Sequence, residues 1–131
     1  DIDLRKADFV LDCIDTIASK MSIIKKCINL GIPIISCLGM GNRLDPTLLR
    51  IGDIYETKID PLAKIIRKKC REAGISSLPV VYSLEEPIKP DYSNMDEIEQ
   101  KGKHPAPGSS AFVPTAAGLF LASYAVRKLL G

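Results

Sequence analysis

A strand–helix–strand pattern near the amino terminus constrains this chain more than any other feature. The short apolar run Phe9–Cys13 is followed almost without a linker by residues 17–30, whose apolar side chains recur at helical spacing. Gly31 and Pro33 end that helix, and a second apolar run, Ile32–Leu38, begins at once. Short apolar runs are typical of strands buried in a parallel sheet, and two of them joined through a helix form a βαβ crossover. The pattern predicts an α/β fold.

The rest of the chain continues to alternate between strand and helix signals. Thr47–Ile54 predicts a strand with one exposed face, and Leu78–Leu84 predicts a buried strand. Asp60-Pro61 is a typical helix start, with Asp as the cap and Pro at the first helical position, and Gly74 is expected to end that helix. We therefore expect a Rossmann-like sheet with flanking helices, in one domain that spans residues 1–131.

The last predicted helix, Thr115–Leu130, is rich in small residues. The uncharged stretch 111–126 around its start is shorter than the ~20 apolar residues that span a bilayer, so we expect a buried helix and no membrane span. Pro114 suits the helix start. Gly118 would cost ~1 kcal/mol relative to Ala in an exposed helix, so we expect close packing against the sheet or a second subunit there.

Composition excludes several classes of protein. Hydrophobic residues make up 46% of the 131 residues and charged residues 26%, as in ordinary globular chains, and the net charge of +2 does not by itself indicate a nucleic-acid binder. The four cysteines form no C-x-x-C pair, which argues against a zinc site and a secreted disulfide scaffold and favours a cytoplasmic protein. The chain does not begin with Met, and we interpret it as a fragment.

Residues 85–108 differ from the rest in composition. The segment carries several prolines and many charges but few apolar residues, so we expect a mobile loop or lid there. The only histidine, His104, lies in it without neighbouring cysteine or carboxylate partners. We do not predict a catalytic or ligand role for that histidine.

Asp15 and Thr16 are the candidate functional residues between the first strand and helix. Asp15 would lie at the carboxyl end of a strand, where open α/β sheets bind ligands, and a carboxylate there can hold a magnesium ion that binds phosphate oxygens. Asp and Thr just before a helix are also common N-caps. The two roles are compatible, and the local sequence leaves both open.

Two further features have a structural and a functional interpretation. The loop Gly39-Met40-Gly41 would lie at the same sheet edge as Asp15, where its glycines could serve an irregular turn or a close approach to a ligand. The helix after Asp60 carries a basic outer face that could be merely solvated or could contact RNA phosphates. That face consists of Lys64, Arg67, Lys68, Lys69 and Arg71.

The order of these motifs resembles a known superfamily. Asp12-Cys13-Ile14-Asp15, Ile32-Pro33-Ile34, the Gly39–Pro46 loop and the segment Gly108-Ser109…Phe112-Val113-Pro114…Gly118 occur in the order seen in ThiF/MoeB/HesA proteins. These are ATP-dependent enzymes related to ubiquitin-activating enzymes. Asp15-Thr16 with Lys20, Asp60-Pro61-Leu62-Ala63 and the absence of zinc cysteine pairs are similar to the branch of tRNA threonylcarbamoyladenosine dehydratases. The resemblance covers essentially the whole chain.

The resemblance implies an adenylating enzyme with ATP and Mg²⁺ as cofactors and tRNA as substrate. In that branch ATP activates the carboxylate of threonylcarbamoyladenosine, and ring closure follows with net loss of water. Asp15 matches the family's strand-end catalytic aspartate, and with Thr16 and Lys20 it would place Mg-ATP. Gly39 and Gly41 would lie close to the substrate pocket. The family resemblance places Ser109, Phe112 and Pro114 at the base of that pocket, near the contact of a homodimer.

One departure from the family pattern affects activity. The glycine-rich nucleotide loop of the family has no counterpart here, so the chain is expected to be the carboxyl-terminal part of a ThiF-type fold. We predict that this chain alone binds ATP weakly or not at all and is inactive. Two alternatives stay open: adenylation of a ubiquitin-like sulfur-carrier protein, with a cysteine desulfurase-type partner, and a non-catalytic dimerisation module. The missing zinc cysteines and the lack of a transfer cysteine argue against the first.

Overall fold

A computed structural model describes residues 3–88 and 112–131. Within them four strands form one sheet in the order β1-β2-β4-β3. The strands are β1 (Val10–Asp12), β2 (Ile34–Cys37), β3 (Leu49–Asp53) and β4 (Pro79–Ser83). β1, β2 and β4 are parallel, whereas β3 runs antiparallel to β4 at the far edge. The predicted α/β fold and its first βαβ unit are confirmed.

Three helices cover the two faces of this sheet: α1 (Ile17–Leu30), α2 (Pro61–Glu72) and α3 (Phe112–Leu130). Successive strand residues point to opposite faces, so Ile34 joins the core under α1 and α2, while Ile35 joins the core under α3. Both side chains are buried, which explains why the β2 segment is apolar without alternation.

The helix ends follow the predicted signals. Gly31 adopts φ 70°, and its amide donates to the carbonyls of Cys27 and Ile28 at the end of α1. Asp60 is the N-cap of α2, and its Oδ1 accepts a hydrogen bond of 2.9 Å from the Leu62 amide. These caps satisfy backbone groups that the helices leave without partners, so they fix where each helix begins or ends.

Other boundaries differ from the sequence prediction. Pro46–Leu48 forms a short 3₁₀ turn before β3, where the sequence predicted a strand from Thr47. α3 begins at Phe112 rather than Thr115, because Pro114 fits within a first turn whose amides need no helical partner. The expected mobile segment 85–108 falls outside the described residues from position 89 onward, and so does His104.

Burial of α3 is one-sided. Val113, Ala117, Leu121 and Ala125 recur every four residues on its buried side. The opposite side exposes large apolar residues: Phe112, Leu119, Val126, Leu129 and Leu130. The expectation of a buried helix is therefore correct for one face only. Close packing of Gly118 against the sheet is wrong, because a Cβ at that position would meet no atom of the described residues within 4 Å. Close packing of Gly118 against a second subunit stays a prediction.

The described part of the chain, residues 3–88 and 112–131, contains no helix long and apolar enough to cross a membrane.

Candidate functional site

Asp15 lies in the short connection between β1 and α1, at the carboxyl edge of the sheet. The residue is exposed, as a ligand-binding carboxylate must be. Thr16 is the N-cap of α1 by position, but its side chain makes no capping hydrogen bond. The capping interpretation of this pair therefore receives no support from Thr16. β1, which precedes Asp15, is an edge strand of the described sheet.

A cleft of about 650 Å³ opens beside Asp15. It lies where the carboxyl ends of β1 and β2 meet the first half of α3. The cleft residues are Cys13, Asp15, Cys37, Leu38, Gly39, Met40, Gly41, Pro114, Gly118 and Leu121. The fold thus brings together four residues predicted for one site: Asp15, Gly39, Gly41 and Pro114. A cleft of this volume is in the range that small-molecule ligands occupy.

One predicted pocket residue among those described does not join this group. Phe112 is 69% exposed and lies outside the cleft, because it sits on the outer side of the first turn of α3. Ser109 lies outside the described residues. Its predicted place at the base of the pocket stays a prediction.

Lys20, predicted to bind ATP together with Asp15, lies inside the fold instead. Its side chain is fully buried, and its Nζ contacts Asp12 Oδ2 at 2.8 Å. The same ammonium donates to the carbonyls of Cys37 at 2.7 Å and Ile14 at 3.2 Å. The family resemblance assigned Lys20 to ATP, but the sequence could not show that the first turn of α1 directs the lysine toward a buried carboxylate.

The glycine loop is held by two carboxylates that sequence reasoning did not connect with it. Gly39 donates its amide to Asp60 Oδ2 at 2.8 Å, and a Cβ at Gly39 would lie 3.1 Å from Asp60 Oδ1. The close approach to Asp60 therefore accounts for glycine at position 39. Farther along, Glu85 accepts hydrogen bonds of about 3 Å from the amides of Leu44 and Asp45. These contacts fix the loop at the cleft mouth.

Arginine side chains near the loop and on α2 also make contacts within the protein. Arg43 is buried and donates to the Gly41 carbonyl at 3.1 Å. Arg67 donates to the backbone carbonyl and hydroxyl of Thr57, and Arg71 lies over the ring of Tyr55. Of the basic face considered for RNA binding, Lys64, Lys68 and Lys69 are exposed.

The sequence was compared with protein families and with curated proteins. No protein-family model matches the sequence. The tRNA threonylcarbamoyladenosine dehydratase of Bacillus subtilis is 40% identical over 94% of this chain and 51% of its own length. The dehydratase 2 of Saccharomyces cerevisiae is 44% identical over 61% of this chain and 18% of its own length. The chain is thus similar in sequence to tRNA threonylcarbamoyladenosine dehydratases.

Solved dehydratase structures have the same fold. TcdA (CsdL) superposes with a TM-score of 0.78 at 25% identity, over 95% of this chain and 49% of that one. The Escherichia coli dehydratase TcdA in complex with ATP gives 0.76 at 24% identity, over 94% and 48%. The expected ThiF-type fold is confirmed. The chain spans about half the length of the dehydratases that it matches.

The cleft supplies negative charge but no positive charge. Among its described residues the ionisable groups are Asp15 and two cysteines, and no lysine or arginine belongs to the lining. A polyphosphate in this cleft would meet a carboxylate without a compensating cation from the described lining.

Proposed function

We propose that this chain is the substrate-side half of an ATP-dependent tRNA threonylcarbamoyladenosine dehydratase. The observation that carries the proposal is the cleft that joins Asp15, Gly39, Gly41 and Pro114, in a chain 40% identical to the Bacillus subtilis dehydratase. The E. coli relative is known in complex with ATP and with AMP, which supports nucleotide activation as the chemistry.

In the proposed reaction the substrate carboxylate attacks the α-phosphorus of ATP, and pyrophosphate leaves. The resulting acyl-adenylate is then attacked within the same nucleoside, so that a ring closes and AMP is expelled. The nucleoside loses one water overall, while ATP is converted to AMP and pyrophosphate. Such chemistry depends mainly on positioning and on neutralising charge. Asp15 is the residue of this chain that we assign to the reacting centre.

The cleft offers magnesium a single carboxylate, so it could hold the ion only together with phosphates and waters. The described residues hold no cluster of three or more His, Cys, Asp or Glu side chains placed for a metal ion. Mg²⁺ is commonly bound by one or two carboxylates together with phosphates and waters, so Asp15 alone can contribute to a Mg-ATP site. Bound Mg²⁺ would supply neutralisation of the phosphate charge.

The proposal includes partners and a compartment. tRNA is the substrate, and the free state of all four cysteines is consistent with a reducing cytoplasm. We propose a homodimer that buries the apolar outer side of α3, because an apolar surface of that extent commonly marks an interface. Replacing Leu119 with Glu would then yield a monomer by light scattering, and an unchanged mass would contradict this interface.

The test uses a chimera, because the chain spans half of its relatives. Residues 1–131 replace the matching half of the Bacillus subtilis dehydratase, and the chimera is incubated with Mg-ATP and threonylcarbamoyladenosine-containing tRNA. We expect the dehydrated nucleoside by mass spectrometry, and about a hundredfold lower turnover for Asp15→Asn, comparable to the loss of one transition-state contact. Asp8→Asn, at an exposed aspartate before β1, is the matched control.

Three results would contradict the proposal. A folded chimera that leaves the nucleoside unchanged would exclude dehydration. Pyrophosphate exchange that only a ubiquitin-like carrier peptide stimulates would favour the sulfur-carrier reaction. An Asp15→Asn variant that is unfolded by circular dichroism would assign the carboxylate to the helix end instead.

A further inference from the structure

The Lys20 ammonium is completely enclosed. Its contacts are Asp12 Oδ2, the Ile14 carbonyl and the Cys37 carbonyl, at 2.8, 3.2 and 2.7 Å. The two carbonyls accept hydrogen bonds from the ammonium, and the Asp12 carboxylate forms an ion pair with it from a third direction. Both charged side chains have no exposed surface, so water screens their interaction little.

These contacts join the two walls of the cleft. Ile14 lies between Cys13 and Asp15, so the bond to its carbonyl fixes the segment that carries Asp15. Asp12 Oδ1 accepts a hydrogen bond of 2.9 Å from the Ile14 amide, which holds the preceding peptide unit, between Cys13 and Ile14. Cys37 ends β2 directly before Leu38 and Gly39 of the opposite wall. The ammonium therefore links the Asp15 segment, the start of α1 and the glycine loop.

We infer that Asp12 and Lys20 are positioning residues that hold the Asp15 carboxylate beside the Gly39–Gly41 loop. This inference rests on the proposed function, in which Asp15 acts at the reacting centre. Neither residue of the pair lines the cleft, so both act through backbone atoms and not on a ligand. A buried ion pair is weak evidence of stabilisation, since an apolar pair of similar volume is often as stable. What an apolar pair cannot supply is the set of hydrogen bonds to Ile14 and Cys37.

The apolar replacement of both partners separates positioning from stability. In the chimera, Asp12→Leu combined with Lys20→Met removes both charges, leaves none unpaired and keeps the site filled. We expect a melting temperature close to the parent, with kcat about a hundredfold lower, because small displacements of reacting groups cost this much. KM for ATP should change little, since neither residue contacts the nucleotide. Lys26→Met, at an exposed lysine of α1, is the control.

A second measurement does not depend on activity. In the 131-residue chain, hydrogen exchange at the amides of residues 13–16 and 38–41 should become faster in the double variant, while exchange in β3 and β4 stays at the parental rate. Faster exchange with an inactive parental chimera would reject the dehydratase proposal while supporting the role of the pair in holding the cleft walls. The two proposals can therefore fail separately.

If the double variant keeps the kcat and the hydrogen-exchange rates of the parent, the inference is overturned. The Asp12–Lys20 pair would then have a structural role only. If the double variant does not fold, Lys20→Arg takes its place, because a guanidinium keeps the charge but its planar fork does not match three acceptors in different directions. Lys20→Arg with parental kcat and exchange would likewise overturn the inference.

Discussion

Cys13 and Cys37 come one residue after the paired positions Asp12 and Ser36 of β1 and β2, and both line the cleft. Burial raises the pKa of the Cys37 thiol to about 12, and the nearby Cys13 adds to that increase. Burial, followed by the Asp12 carboxylate, also raises the pKa of Cys13. Because the thiolate is the nucleophilic form, neither cysteine is suited to covalent transfer at neutral pH.

This protonation state predicts how the chain reacts with iodoacetamide. A raised pKa means a smaller thiolate fraction at neutral pH, so Cys13 should be alkylated more slowly than a free cysteine at pH 7.5. Its rate should also level off at a higher pH than that of a free cysteine, whose pKa is about 8.5. Peptide mass spectrometry after timed quenching measures both rates.

Two controls define that experiment. Cys27 and Cys70 are buried and should stay unmodified in the folded chain, and Cys13→Ser should abolish the label assigned to Cys13. Rapid alkylation of Cys13 at pH 7, with a plateau at a lower pH than that of a free cysteine, would mean a lowered pKa. Such a thiol would reopen the transfer reaction of sulfur-carrier activation.

For individual residues, the sequence predicted membership of the region around the cleft better than it predicted the direction of each side chain. Asp15 was placed correctly at the cleft because a strand end followed by a helix start fixes the chain direction. Lys20 was assigned to the nucleotide, yet it is buried against Asp12. The sequence shows that Asp12, Asp15 and Lys20 lie within nine residues of each other, but only the packing of α1 on the sheet decides which carboxylate the lysine meets.

Among the secondary-structure elements, α3 carries an unusual glycine. Gly118 is exposed, lines the cleft and has open space where a side chain would be. Gly118→Ala should therefore stabilise the chain by about 1 kcal/mol through helix propensity. The added methyl group would project into the cleft, so we expect lower kcat/KM for tRNA in the chimera. Urea denaturation and the dehydration assay measure the two effects.

Gly31 offers the matched comparison. Its φ of 70° lies in the left-handed region, so Gly31→Ala should destabilise the chain by about 1–2 kcal/mol while kcat/KM of the remaining folded protein is unchanged. The interpretation of Gly118 fails if Gly118→Ala is as active as the parent, since the open space would then have no part in binding.

The elements themselves could be predicted because each depends on local signals. Apolar runs marked the strands, and Gly31 and Asp60-Pro61 marked helix ends. Strand order could not be predicted, since the pairing of β4 between β2 and β3 depends on contacts far apart in sequence. The one-sided burial of α3 was missed for a related reason. Its outer side is as apolar as its inner side, so the sequence carries no contrast between them.

For the whole molecule, the location of the cleft limits what this chain can bind. The described walls come from the ends of β1 and β2 and from α3, and β1 is an edge strand of the sheet. The cations nearest in sequence to the cleft residues are engaged elsewhere, Lys20 with Asp12 and Arg43 with the Gly41 carbonyl. The described chain thus presents a substrate-side wall with one carboxylate.

That charge distribution predicts weak nucleotide binding by the chain alone. A triphosphate near Asp15 would be repelled unless Mg²⁺ intervenes, and a single carboxylate holds Mg²⁺ weakly. In isothermal titration calorimetry with Mg-ATP we expect no heat above dilution at concentrations where E. coli TcdA, known in complex with ATP, binds. The chimera should bind, because its other half comes from a full-length dehydratase. Micromolar affinity of the 131-residue chain would show instead that its own residues suffice to hold the triphosphate.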